Sequence, residues 1–198
     1  MWRSWWFDIF NTTTWLALLL LLFLGSYLLV GDIAKEERRG TLDFVRLSPE
    51  SAQSVLLGKL LGVPVLLYGA IAAALPLHLW AANNAELPLL LIASVYLLTA
   101  TSCGFVFSYT VLHSLGWGAK AQFWYVLPLL CIIYLSLYLL SVYGSSRYHA
   151  QLIAATGDLN PGSGFFIVVS VLVTAFVVLT FSLWWVSVKR FHRPPLRR

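Results

Sequence analysis

Charge is what this sequence has least of. Asp, Glu, Lys and Arg make up only 11% of its 198 residues, whereas a soluble domain carries about 25%, so a surface wetted on all sides is excluded. Cysteine is nearly missing too. Cys103 and Cys131 both sit in apolar runs, which excludes a disulfide framework and a thiolate metal site and leaves two small hydrophobes. There is no G-x-x-x-x-G-K-[ST] either. Gly58-Lys59 is followed by Leu60, with Gln53 where the first glycine would stand, so ATP hydrolysis by that phosphate-cradling loop is excluded. The net charge of +5 raises nucleic acid as a partner. The basic residues, however, cluster at the ends of apolar runs and form no continuous patch, an arrangement that sets membrane orientation.

What is present is hydrophobic sequence, 60% of the chain. Five runs, at residues 9–31, 60–82, 87–112, 122–143 and 164–188, are each long enough to cross about 30 Å of hydrocarbon as a helix. The expected fold is therefore all-α, a polytopic membrane helix bundle forming one transmembrane domain over residues 1–198. A signal peptide fits the first run poorly, because Asp8 precedes it and Asp32-Ile33-Ala34-Lys35 follows in place of a small-residue cleavage site. Between the runs lie a charged segment at 32–59, a tight polar hairpin at Asn83-Asn84-Ala85-Glu86, a glycine-containing loop from His113 to Ala121, and a longer loop from Gly144 to Ser163. A basic tail at 189–198 closes the chain.

Five crossings divide Lys and Arg unevenly. Eleven fall on the side of the charged segment and the tail, and only Arg3 and Arg147 on the other. Short cytoplasmic loops retain the basic excess, so the charged segment, the His113 loop and the tail are expected inside and the amino terminus outside. Trp80, Trp117, Tyr143, Trp184 and Trp185 stand near run ends, where interfacial aromatics gather.

The charged segment has internal punctuation. Ile33 to Arg39 reads as helix, with Lys35 and Arg39 one turn apart and acids between them. Gly40 permits a break, and Thr41 offers a hydroxyl to cap a second short helix whose apolar face is Leu42, Phe44, Val45 and Leu47. Ser48-Pro49-Glu50 has the chemistry of an N-cap, a first-turn proline and a first-turn acid, so a further helix is expected to start there and run into the second span. The segment thus predicts a short amphipathic element between two breaks at the membrane surface.

In these residues the chain resembles the permease subunits of type-2 ATP-binding-cassette transporters. Glu37, Arg38, Gly40, Thr41, Leu42, Asp43, Ser48, Pro49, Leu57, Gly58 and Lys59 fall in the order of a pattern like E-R-x-x-G-T-L-[DE]-x-L-x-x-[ST]-P followed by L-x-G-K, with one residue in place of two between Arg38 and Gly40, Val45 at the second leucine position and Leu57 directly before Gly58. The resemblance implies that the segment is a coupling helix, with Glu37, Arg38, Gly40, Thr41, Leu42, Asp43 and Phe44 meeting a separate ATPase subunit that carries ATP and Mg. It also implies a second permease copy or paralogue and no catalytic residue in this chain. The residue pattern itself predicts no metal site and no nucleic-acid partner, the basic count predicts a cytoplasmic coupling loop and carboxyl terminus, and the small size and poor fit to a signal peptide suit a bacterial plasma membrane. The resemblance is confined to that segment. Such permeases have six spans with the coupling loop after the second, and here it follows the first, as though an amino-terminal span were lacking.

Other features carry less. Gly58 and Gly62 form a G-x-x-x-G, which can bring helices close. Pro64, Pro76, Pro88 and Pro128 can kink helices, and Pro88 suits a helix start. His78 lies in an apolar run near its outer end, where a satisfied interfacial histidine is favoured over a proton or substrate site. Ser94, Thr99, Thr101 and Ser102 are expected to serve packing more than a pathway. Two other classes compete with a permease. An intramembrane protease of the prenyl-protein type would use Glu36-Glu37 but needs an arginine where Thr41 stands, and a membrane scaffold needs no rigid cytosolic element.

Overall fold

The computed structural model describes residues 2–41, 49–117 and 161–191, and every regular element among them is helical. Helix α1 (Trp2–Leu19) passes through a π-helical segment (Leu20–Gly25) into α2 (Ser26–Arg39). Farther along the chain come α3 (Ala52–Gly62), α4 (Val65–Asn84), α5 (Leu89–Trp117) and α6 (Pro161–Phe191). Four stretches are long and apolar enough to cross a membrane: Trp2–Arg39, Val65–Asn84, Leu89–Gly116 and Val169–Phe191. Their exposed surface is apolar, with Leu66, Leu89, Val171 and Phe181 among the most exposed side chains, as lipid requires and water forbids. This is an integral membrane helix bundle. The span expected at 122–143, the tail beyond Phe191, Pro128 and Cys131 lie outside the described residues.

The first helix is longer than the apolar run that marks it. Its 38 residues reach about 57 Å at 1.5 Å per residue, so both its aromatic start and its charged end project past the hydrocarbon. Within lipid each hydroxyl has to find an acceptor. Thr13 and Thr14 give theirs to the carbonyls of Ile9 and Phe10, at 2.7 and 2.8 Å. The π segment widens the helix by roughly one residue per turn, which lets buried positions recur at steps of four from Leu18 through Leu22, Ser26 and Val30 to Ala34. Phe107 of α5 sits against Gly25 there. A Cβ on Gly25 would fall 2.7 Å from the Phe107 ring.

Helix α4 is antiparallel to the first helix, because Trp6 and Phe10 near one start meet Trp80 and His78 near the other end. Helices α5 and α6 are parallel. Leu91 packs with Val169, Phe105 with Phe176, Gly104 with Thr180, and Gly116 lies under the Arg190 guanidinium. One end of the bundle therefore gathers Lys35, Arg38, Arg39, Lys59, Lys189 and Arg190, while Arg3 stands at the other, in an ion pair with Glu86.

Several boundaries differ from expectation. Helix α3 starts at Ala52 and not at Pro49, with Ser51 as its N-cap accepting from the Ser54 N–H at 3.1 Å. It does not run unbroken into the second span either, since Val63-Pro64 divides it from α4. The stretch from His113 to Trp117 is helical and not a loop, and α6 continues through Lys189, Arg190 and Phe191. At Asn83–Glu86 the polar hairpin is a Schellman cap. Glu86 takes φ 55°, its N–H bonds the Asn83 carbonyl, and Leu87 N–H bonds that of Ala82. Pro88 opens α5, its carbonyl accepting from Leu91 and Ile92.

Candidate functional site

The base of the first helix holds the densest charge among the described residues. Asp32 and Glu36 lie one turn apart on the same face of α2, and Lys59 reaches across from α3 to both. Its Nζ is 2.7 Å from Asp32 Oδ2 and 2.7 Å from Glu36 Oε1. The lysine side chain is only 12% exposed. Glu36 Oε2 is buried and has no hydrogen-bond partner among the described residues.

An apolar layer fixes the clamp from beneath. Ile33 of α2, Ala52 and Leu56 of α3, Val111 and Leu115 of α5 and Phe191 of α6 form one buried cluster. At this end water is the alternative environment, so burying each large side chain is worth about 1.5–3 kcal/mol. Deeper in the bundle lipid removes that drive, and packing with hydrogen bonds takes over. Layer and clamp together seat α3 on the bundle.

The chain between these anchors is the predicted coupling segment. Helix α2 ends at Gly40, which takes φ 71° and turns its N–H to the carbonyls of Glu36 and Glu37. A left-handed residue costs an L side chain about 1–2 kcal/mol, so the break is written into the backbone by glycine. The short helix that Thr41 is expected to cap lies outside the described residues. The Thr41 hydroxyl donates back to the Glu36 carbonyl at 3.3 Å and helps close α2. Glu37, Arg38, Gly40 and Thr41 are exposed on the final turn, and Arg38 Nε donates to the Ala34 carbonyl at 3.2 Å. Pro49 is exposed in the bend before α3, and Gly58 is exposed on α3. Leu42, Asp43, Phe44 and Ser48 lie outside the described residues. Of the residues singled out from sequence, Lys59 is brought into a cluster, and its partners are Asp32 and Glu36, not Glu37. The missed signal was two acids one turn apart at the end of an apolar helix, facing a lysine in the next one.

His78 forms a second polar centre, toward the opposite end. Its Nε2 is 2.8 Å from Thr14 Oγ1 and its Nδ1 is 2.7 Å from the Tyr96 hydroxyl, while the Phe10 ring stacks on it at 4.3 Å. Since Thr14 gives its hydrogen to the Phe10 carbonyl, Nε2–H donates to Thr14 and Tyr96 donates to Nδ1. The imidazole is satisfied on both sides and ties α1, α4 and α5 together. Beside it lies a crevice of about 100 Å³. Ser94, Thr99, Thr101 and Ser102 give their hydroxyls to carbonyls of their own helix, and open space lies beside Gly58 and Gly62. Comparison with protein-family models, with curated proteins and with solved structures gives no match.

Proposed function

We propose that this chain is the transmembrane permease subunit of an ATP-binding-cassette exporter. Its coupling segment transmits the closure of a separate ATPase subunit, which carries ATP and Mg, to the membrane helices. The motif from Glu37 to Lys59 supports this reading, and one structural observation carries it. Both feet of the segment are anchored: α2 is a rigid continuation of the first span, α3 is seated on the bundle, and Lys59 clamps one to the other. A push on the residues between Gly40 and Ser51 therefore moves two helices as one body and does not dissipate in a slack loop.

The working unit pairs this chain with a second permease copy or paralogue, with the basic end in the cytoplasm. Five spans are the proposed count. The parallel run of α5 and α6 puts Trp117 and Pro161 at opposite ends of the bundle, which supports a fifth crossing between them. A prenyl-protease reading fares worse because Glu36, one of the two acids it would need, is bound to Lys59.

The test is uncoupling. In membranes holding the chain with its ATPase, Gly40→Val and Asp43→Lys should insert normally and lose the acceleration of ATP hydrolysis by substrate. Undiminished acceleration in both variants would contradict the proposal.

A further inference from the structure

At the basic end, α3 and α6 leave a groove of about 610 Å³ between them, within the range of about 300–1,000 Å³ typical of ligand sites. Gln53 of α3 forms one wall, and Phe181, Ser182, Trp184, Trp185 and Val188 of α6 form the rest. The floor is rigid, because Trp184 and Val188 pack against the buried cluster of Ile33, Leu56 and Phe191. The rim is charged. Lys189 lies over the Trp185 ring, its Nζ 3.3 Å from the centroid, an attraction that holds the ammonium at the mouth. A second shallow trough lies on the same face of α6 along Val178, Ala175 and Val171, each about one helical turn from the next.

An apolar channel lying along a membrane helix and ending in an aromatic ring and a cation matches one occupant. We propose that this groove holds a single anionic phospholipid, with its phosphate at Lys189, its glycerol region against Gln53 and the Ser182 hydroxyl, and an acyl chain along the trough toward Val171. Charge complementarity selects the headgroup. The Ser182 hydroxyl gives its hydrogen to the Val178 carbonyl and so offers only lone pairs, while the Gln53 amide supplies donors for ester carbonyls. From Trp185 to Val171 the groove and the trough together span about 21 Å at the helical rise, enough to take a chain past the middle of a hydrocarbon core about 30 Å thick. The assignment is independent of the transport reading and needs only that the bundle sit in a membrane.

The experiment is native mass spectrometry of delipidated protein titrated separately with phosphatidylglycerol and phosphatidylcholine. One phosphatidylglycerol should be retained roughly fivefold more tightly, the worth of one lysine at an anionic surface. Lys189→Ala should reduce retention to the phosphatidylcholine level, and Lys189→Arg should restore it. Arg39→Ala, exposed at the same end but outside the groove, should leave it unchanged. Equal retention of the two lipids by the unaltered protein would overturn the proposal. So would a loss in Arg39→Ala as large as in Lys189→Ala, since that marks diffuse attraction only. A dimer that excludes both lipids and depends on Trp185 would also overturn it, by giving the groove to a second copy.

Discussion

The Tyr68 hydroxyl donates to the Leu60 carbonyl at 3.0 Å, and it does so because the residue that should serve that carbonyl is Pro64. In an unbroken helix the Leu60 oxygen accepts from the N–H four residues on, and proline has none. The tyrosine closes the break between α3 and α4 from the following turn.

This makes the pair separable by mutation. Tyr68→Phe should lower stability by about 1–3 kcal/mol, the cost of a buried acceptor left without its donor. Pro64→Ala restores an N–H, so the double variant should recover most of that loss. Thermal unfolding in detergent of the two single variants and the double one gives the coupling. Additive losses would show that the hydroxyl does not stand in for the missing amide.

Lys59, the least exposed of the three, faces two carboxylates that keep part of their surface in water. Its replacement by Met should cost about 1–3 kcal/mol, less than the 3–5 kcal/mol of a fully buried pair because both acids keep partial access to water. Asp32→Asn should cost less than Glu36→Gln, since Glu36 is the more buried of the two acids. Unfolding midpoints order the three variants, and a Lys59→Met protein as stable as its parent would remove the clamp from the account.

At the π segment, Gly25→Ala should destabilise the bundle by about 1–3 kcal/mol, as overpacking does, because the Phe107 ring is nearly fully buried and cannot retreat. Shortening the ring should relieve it. Phe107→Leu combined with Gly25→Ala is expected to be more stable than the sum of the single losses allows. A simple sum would mean that the two residues do not compete for space.

Glu86 holds a left-handed conformation that glycine adopts freely. Glu86→Gly gives up an exposed ion pair with Arg3, worth about 0–1 kcal/mol, and relieves a strain of about 1–2 kcal/mol, so it should leave stability unchanged or raise it. Glu86→Ala loses the pair and keeps the strain, and it should unfold at lower temperature than either. The reverse order would refute the Schellman reading of this hairpin.

The features legible in the sequence were those decided locally. Apolar run length marks each described span, glycine marks the end of α2 at position 40, and a proline marks the start of α5. What was not legible depends on partners distant in the chain. A run of leucines does not say which turn will widen, and the meeting of Gly25 with Phe107 decides it. Ser48 and Ser51 have the same capping chemistry, and burial of Ala52 and Leu56 decides where α3 starts. Gly116 looks like a turn residue until Arg190 is found lying over it. Lys59 reads as a family position, but that Asp32 and Glu36 receive it follows only from the seat α3 takes on the bundle. That His78 is satisfied follows from its place near a run end, but its partners Thr14 and Tyr96 come from two other helices.

The central claim is that the segment after Gly40 is gripped by a nucleotide-hydrolysing subunit. Its most direct test is site-specific photo-crosslinking from position 43 in native membranes, with the captured peptides sequenced. The account predicts an adduct with a protein bearing a G-x-x-x-x-G-K-[ST] loop, formed at the cytoplasmic face. Adducts with lipid alone, or labelling of position 43 by an impermeant reagent from outside intact cells, would contradict it.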